Sequence, residues 1–139
     1  MMNTQKFLKL YPDGKLCEVI FESRDTGDFD NHFNDFVHQQ LECDIYEMAD
    51  VSGTFRNIAM LVDEEGWFKT EVQVNPIAWM FHSAMNPAFP IVGSVLFTGL
   101  CRVGELEELD FCGLGNEDID NIRDHVRRIG RLLNVGGAI

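Results

Sequence analysis

The stretch from Asp63 to Gly99 constrains the fold of this chain more than any other part of the sequence. It contains an acidic turn at 63–66, the pair Asn75-Pro76, an aromatic segment at 79–81 and an apolar run at 91–99 that includes glycine. Proline restricts the backbone dihedral angles and glycine frees them. This punctuation therefore predicts a backbone shaped for close approach, and it includes no catalytic signature.

Length and composition predict one domain spanning residues 1–139. Hydrophobic residues make up 45% of the 139 positions, which is enough for a real core. No apolar run approaches the roughly 20 residues that span a bilayer. Residues 1–6 are not followed by the apolar segment of a signal peptide. We therefore expect a cytoplasmic protein with no membrane partner.

The chain is strongly and unevenly acidic. Eleven Lys and Arg against 23 Asp and Glu give a formal net charge of −12. Such a field repels nucleic acid, so direct nucleic-acid binding is not expected. Residues 116–134 are the exception, because four acidic side chains there are balanced by four arginines: Arg123, Arg127, Arg128 and Arg131.

The cysteines and histidines predict neither a metal site nor a cofactor. The widely spaced cysteines, which we expect to be buried reduced thiols, are Cys17, Cys43, Cys101 and Cys112. Zinc requires clustered thiolates or imidazoles, and no such spacing occurs. The acids at 28–35 lack the glycine and terminal glutamate of a calcium loop.

The first half of the chain predicts a hairpin, a helix and two further strands. Residues 7–10 and 15–21 flank a turn, 11–14, in which Pro and Gly supply the required dihedral angles. Apolar residues at helical spacing predict a helix from about Asp28 to Leu41. Strands are expected near 44–48 and 58–62.

The region that follows predicts a strand at 67–74 and a short helix. Asn75 suits the N-cap and Pro76 the first position of a helix reaching His82. The run 91–100 is too apolar to alternate, which predicts a central strand buried on both faces.

The C-terminal region predicts a sheet edge or lip at 102–109, followed by a long helix. Asn116 can cap this helix, and Asn134 and Gly136 can end it. Its apolar stripe is Ile119, Ile122, Val126, Ile129 and Leu133. The complete order predicts an α+β domain, in which a curved, mainly antiparallel sheet is packed by two longer helices and one short helix.

Four motifs, in order, resemble a family of small domains of unknown function from bacteriophages and other mobile elements. They are Glu64-Glu65-Gly66, Val74-Asn75-Pro76, Ile91-Val92-Gly93-Ser94-Val95 and Leu114-x-x-Glu117-Asp118-Ile119. The resemblance implies a phage or mobile-element origin and a small acidic α+β fold. It implies no reaction, because none is known for the family as a whole.

Four residues of the central stretch are candidate ligand-binding residues, each with a structural alternative. Asn75 could present an amide to a ligand or simply cap a helix. Gly93 and Ser94 could mark a close approach by a ligand or by a packed helix. Trp79, like Trp67, could stack on a base or anchor an interface, or belong to the core.

Three arginines of the last helix are the remaining candidates. Arg123, Arg127 and Arg131 recur at i, i+4 and i+8 and therefore share one helix face, which guanidinium groups could use to bind phosphate. Alternatively, arginines near the end of the helix complement its dipole, and Asp120 and Asp124 lie within pairing distance of Arg123, Arg127 and Arg128.

Two functions fit these features and a phage origin, and both describe a non-enzymatic counter-defence protein in the host bacterial cytoplasm. In one, the arginines and a tryptophan sequester a nucleotide signal of a defence system. In the other, the acidic surface mimics DNA and blocks a host defence protein, for example a restriction or RNA-guided nuclease. A third possibility is a structural or oligomerising role, since the segments 79–89 and 135–139 could be buried in a homodimer. An enzyme is not expected, because no nucleophile, base and orienting group occur together.

Overall fold

The computed structural model describes residues 2–24, 29–51, 55–69, 71–82 and 90–134. The strands in these ranges are β1 (Met2–Leu10), β2 (Leu16–Arg24), β3 (Tyr46–Ala49), β4 (Ile58–Asp63), β5 (Val95–Val103) and β6 (Glu108–Cys112). The helices are α1 (Phe29–Leu41), α2 (Pro76–Phe81) and α3 (Asn116–Leu133), with a 3-10 turn at Gly66–Phe68. The prediction of an α+β fold with two longer helices and one short helix is confirmed.

The strands form one antiparallel sheet in the order β2-β1-β5-β4-β3. The last part of β5 pairs with β6. The β1–β2 hairpin is the predicted one, and its turn is closed by the Tyr11 N–H, which donates to the Lys15 carbonyl at 2.9 Å. The central position of β5 confirms the buried strand, although that strand begins at Val95 instead of 91.

The sheet is covered on both faces, which explains why its central strands do not alternate between apolar and polar residues. On one face α1 packs over a cluster of Phe7, Phe21, Phe33, Val37, Leu41, Cys43, Leu61 and Leu96. On the other face α2 and α3 pack over a larger cluster that includes Leu8, Met60, Phe81, Phe97, Ile122 and Val126. Successive residues of β1 therefore enter different cores.

Asn75 joins three parts of the fold through one fully buried side chain. Its Nδ2 donates to the carbonyl of Leu10 at the end of β1 (3.1 Å) and to that of Gly93 before β5 (2.9 Å). Its Oδ1 accepts from the N–H of Ala78 (3.1 Å), so Asn75 is the predicted N-cap of α2. Its own N–H donates to the Ile91 carbonyl at 2.8 Å.

The predicted strand at 67–74 is wrong. After β4 the Asp63 carboxylate accepts from the Glu65 N–H at 2.9 Å, and the chain continues into the 3-10 turn. Further on, it pairs with the segment before β5, through an isolated bridge between Val74 and Val92 and a hydrogen bond of 2.7 Å from the Gly93 N–H to the Gln73 carbonyl. The physical reason is that β4 is already flanked by β3 and β5, so the returning segment finds no free edge there.

The start of α3 also differs from the prediction by one residue. Gly115, not Asn116, is the N-cap, and its carbonyl accepts from the Ile119 N–H at 3.0 Å. The preceding Leu114 is buried, and its N–H donates to the Lys6 carbonyl of β1 at 2.8 Å, which fixes where the chain enters the helix. The end is as predicted, since Asn134 adopts the left-handed conformation with φ 59°.

Two of the cysteines are paired, which corrects the expectation of four reduced thiols. Cys101 and Cys112 form a disulfide between β5 and β6, with Cα atoms 6.0 Å apart. In the register of this pair Cys101 lies opposite Asp110 and Cys112 opposite Gly99, so the two cysteines are diagonal neighbours. Only Cys43 is a buried thiol, because Cys17 is partly exposed.

Reduction of the Cys101–Cys112 disulfide should lower the free energy of unfolding by about 2–3 kcal/mol, because the bond closes a loop in the unfolded chain. Urea unfolding with and without a reducing agent would measure this. The double variant Cys101→Ser, Cys112→Ser should be insensitive to the reducing agent, and Cys17→Ser should respond as the wild type does. A wild type with four free thiols and unchanged stability would contradict the assignment.

Replacing Asn75 with alanine should lower the free energy of unfolding by about 3 kcal/mol, since it removes a helix cap and leaves buried carbonyls without donors. Asn116→Ala is the matched control, because Asn116 is exposed and does not cap α3. We expect its effect to stay under about 0.5 kcal/mol. Equal losses in urea titrations of the two variants would contradict this role of Asn75.

Candidate functional site

The structure gives Asn75 a structural role, because its side-chain amide forms all of its hydrogen bonds with groups of the protein itself. Both Nδ2 hydrogen bonds go to main-chain carbonyls and Oδ1 caps α2. The side chain is 0% exposed, so it has no surface to offer to a ligand.

Gly93 and Ser94 line a polar cavity of about 460 Å³ between the β1–β2 turn and the end of α1. Gly93 has φ +74°, and no atom of the described residues lies within 4 Å of a Cβ built there. Backbone conformation, not close approach, therefore explains this glycine. The cavity's Lys69 is already engaged, since its Nζ lies 2.5 Å from an Asp63 carboxylate oxygen and 2.6 Å from the Glu42 carbonyl.

The three arginines of the predicted face point to different surroundings. Arg123 reaches β2, where its Nη2 lies 3.1 Å from an oxygen of Glu18. Arg127 lies 3.7 Å from Asp124 on its own helix, and Arg131 is exposed in the last turn. Trp79 packs against the core. Among the described residues, no hydrogen bond, ion pair or cation–π contact joins Trp79 to Arg123 or Arg127.

A different site, which we call the acidic groove, lies beside β3 and has a volume of about 670 Å³. Its apolar floor consists of Ala49, Val62, Ile91 and Val92, all buried. Two aromatic side chains stand above that floor, Trp67 with 46% of its surface exposed and Phe68 with 87%. Exposed apolar side chains that gather in one groove are typical of an interaction site.

Carboxylates surround this apolar surface. Glu47, Asp50 and Glu64 line the acidic groove and are exposed, and its described lining contains neither Lys nor Arg. Residues 42–71 carry eight acidic and two basic side chains, a local charge of −6 (2 − 8) against −12 for the whole chain. At one end the His82 Nδ1 donates to the Asp50 carbonyl at 2.7 Å. The groove therefore suits a partner that is both apolar and basic.

Sequence reasoning missed the acidic groove because of the wrong strand at 67–74. In a strand, Trp67 and Phe68 would lie on opposite faces. In the 3-10 turn that forms instead, both line the same groove. The signal that could have found it is the adjacency of two aromatic residues to the acidic turn at 63–65.

A third cavity, which we call the arginine pocket, has a volume of about 440 Å³ and lies between α3 and residues 55–58. His125 packs edge-on against the rings of Phe55 (5.2 Å between centroids) and Phe81 (4.8 Å). Burial lowers the pKa of His125 below 6.5, and the positive charge of Arg128 lowers it further. The imidazole is therefore neutral at pH 7.

Two further findings concern the reactivity of Cys43 and the clustering of metal-ligating side chains among the described residues. Burial, followed by the charge of Asp63, raises the pKa of the Cys43 thiol to about 11, which keeps it protonated and unreactive. In the ranges that the structure describes, no cluster of His, Cys, Asp and Glu could hold a metal ion. None of the described helices is both long and apolar enough to cross a membrane.

Comparisons with known proteins supply no family for this chain. No protein family, curated protein or solved structure matches it. The resemblance to phage domains therefore depends on sequence motifs alone.

Two segments, 79–89 and 135–139, were predicted to be buried in a homodimer interface. Residues 83–89 of the first segment and all of the second lie outside the described residues.

The His125 ring should titrate with a midpoint below 6.5, and NMR of the imidazole would measure it. The charged groups lining the same pocket are Arg56, Arg128, Asp118 and Asp124. Arg128→Gln should raise the midpoint, but not to 6.5, because burial is the larger cause. Because the pKa of His125 is lower in the folded state than in the unfolded state, its contribution to the free energy of unfolding depends on pH. That contribution is complete above pH 6.5, and it is lost as the pH falls through the folded-state pKa. A midpoint at or above 6.5 would contradict this account.

Proposed function

We propose that this chain is a non-enzymatic binding protein whose acidic groove captures a basic, partly apolar segment of another protein. The observation that carries the proposal is the placement of Trp67 and Phe68, exposed at 46% and 87%, among the carboxylates of the groove. Aromatic side chains dominate the binding energy of most interfaces, and acidic rims speed the approach of basic partners.

The chemistry of the groove defines the partner's side chains. An arginine or lysine of the partner can lie over the Trp67 ring and also meet Glu47 or Asp50, which combines a cation–π contact with an ion pair. Apolar partner side chains can cover Phe68 and the floor at Val62 and Val92. Both kinds of contact are adjacent here, so a segment that alternates basic and apolar residues fits best.

The resemblance to phage domains extends the proposal to a biological role. Basic side chains are what the nucleic-acid channel of a nuclease presents to the phosphates of DNA. The chain would then be a counter-defence protein of the host bacterial cytoplasm that occupies such a channel. This version is favoured over sequestration of a nucleotide by Arg123, Arg127 and Trp79, because Arg123 and Arg127 are held by Glu18 and Asp124.

A ten-residue peptide in which arginine and leucine alternate should bind the wild-type chain, with an affinity that falls as salt is added. The Trp79→Phe background leaves Trp67 as the reporter, whose fluorescence should shift to the blue on binding. Glu47→Lys with Asp50→Lys should weaken binding about tenfold, since each reversal removes an attraction and adds a repulsion. Trp67→Ala removes the reporter, so its binding is measured by calorimetry, and it should be weaker by a similar factor.

Glu105→Lys with Glu108→Lys is the matched control, because both residues are exposed at the β5–β6 turn and the change in net charge is identical. Equal weakening by the two double variants would contradict the groove as the site.

The counter-defence role has its own test. In cells carrying a restriction or RNA-guided nuclease, the chain should raise phage plating efficiency, and the groove variants should not. Peptide binding without protection would refute that role alone.

A further inference from the structure

The arginine pocket collects two guanidinium groups from distant parts of the chain. Arg56 precedes β4 and Arg128 lies on α3, and both line the same cavity of about 440 Å³. The pocket also contains the amides of Asn57 and Asn121. A cavity of this size falls in the range of small-molecule sites.

Both arginines lie on backbone that is anchored by contacts of the neighbouring residues. Before Arg56, the Phe55 ring packs on Phe81 with centroids 5.4 Å apart. After it, the Asn57 carbonyl accepts from the Leu100 N–H of β5 at 2.9 Å. Arg128 is followed on α3 by Ile129, which is buried in the core. Because the backbone on which the two arginines lie is anchored, the positions of their Cα atoms are fixed before a ligand binds, so the pocket is partly preorganised.

These two cations differ from other arginines of the chain in their partners. Arg123 and Arg127 form ion pairs, and Arg102 donates to the Glu107 carbonyl at 3.1 Å. Within the described part of the chain, neither Arg56 nor Arg128 has an ion pair or a hydrogen bond through its side chain. Two unpaired guanidinium groups beside one cavity repel each other, and an anion placed between them relieves that repulsion.

The rest of the pocket restricts what the anion can be. Asp118 and Asp124 also line it, and Asp124 is neutralised in part by Arg127 at 3.7 Å. Carboxylates oppose a bare anion but accept hydrogen bonds from hydroxyl or amino groups. The Phe55 ring and the neutral His125 offer an aromatic surface to an organic group. The ligand that suits all of these is an anion joined to a polar, ring-containing body.

We propose that the arginine pocket binds a phosphate monoester of the nucleotide type, with Arg56 and Arg128 holding the phosphate. Asp118 and Asp124 would accept hydrogen bonds from the sugar or base, beside Phe55 and His125. The pocket is separate from the acidic groove, and the proposal does not depend on the function proposed for that groove.

Calorimetry with adenosine monophosphate at low salt tests the proposal, with inorganic phosphate as a second probe. Arg56→Gln and Arg128→Gln should each weaken binding of the nucleotide about tenfold or more, because each removes a charge-assisted pair. Arg123→Gln makes the same change of charge on α3 but lies outside the pocket, so it should bind as the wild type does. Arg128→Lys should bind less tightly than wild type, since lysine cannot form the bidentate contact.

NMR titration of His125 is a second readout of nucleotide binding, independent of calorimetry. Bound phosphate offsets the charge of Arg128, so the NMR titration midpoint of His125 should rise when adenosine monophosphate is added. Inorganic phosphate that binds as tightly as the nucleotide would overturn the monoester assignment. Absence of nucleotide binding at millimolar concentration, or equal weakening by Arg123→Gln, would overturn the proposal as a whole.

Discussion

The buried amide of Asn75 is the interaction on which the rest of the structure depends. It ties the end of β1, the approach to β5 and the start of α2 to one side chain, while its main-chain N–H holds Ile91. Buried carbonyls need donors, so this arrangement fixes the relative positions of the segments it joins. Ile91 and Val92 form part of the floor of the acidic groove. The shape of the proposed binding site therefore follows from a residue that takes no part in binding.

The sequence predicted the turns, caps and helices, which are determined by residues close together in the chain. It did not predict the features that depend on contacts between distant segments. The β1–β2 turn follows from Pro12 and Gly14, the cap of α2 from Asn75-Pro76, and α3 from its apolar stripe. Residues 67–74 have the composition of a strand, yet the strand that they follow, β4, is already paired on both sides, with β3 and β5. The Cys101–Cys112 bond depended on the register of β5 and β6, which sequence spacing does not reveal.

The candidate sites also show that the sequence predicts local arrangement but not contacts between distant segments. Helical spacing correctly places Arg123, Arg127 and Arg131 on one helix, but it cannot tell that Arg123 meets Glu18 of β2. Gly93 was singled out for close approach, whereas its positive φ is what requires glycine. The acidic groove is built from 47–50, 62–64, 67–68, His82 and 90–92, which are separate in sequence. A site assembled from five separate parts of the chain leaves no motif, although its excess of acids and its adjacent aromatic residues are visible.

Exposed aromatic residues and an acidic rim together support our proposal that the protein acts by holding a basic partner. Electrostatic attraction alone would draw that partner to any acidic part of the surface, including the β5–β6 turn and the start of α3, whereas aromatic anchors confine it to one place. The most direct test is NMR mapping of backbone amides while the arginine–leucine peptide is added. We predict that the largest shifts lie in β3 and residues 64–68. Shifts centred instead on residues 104–108 or 116–120 would contradict the account.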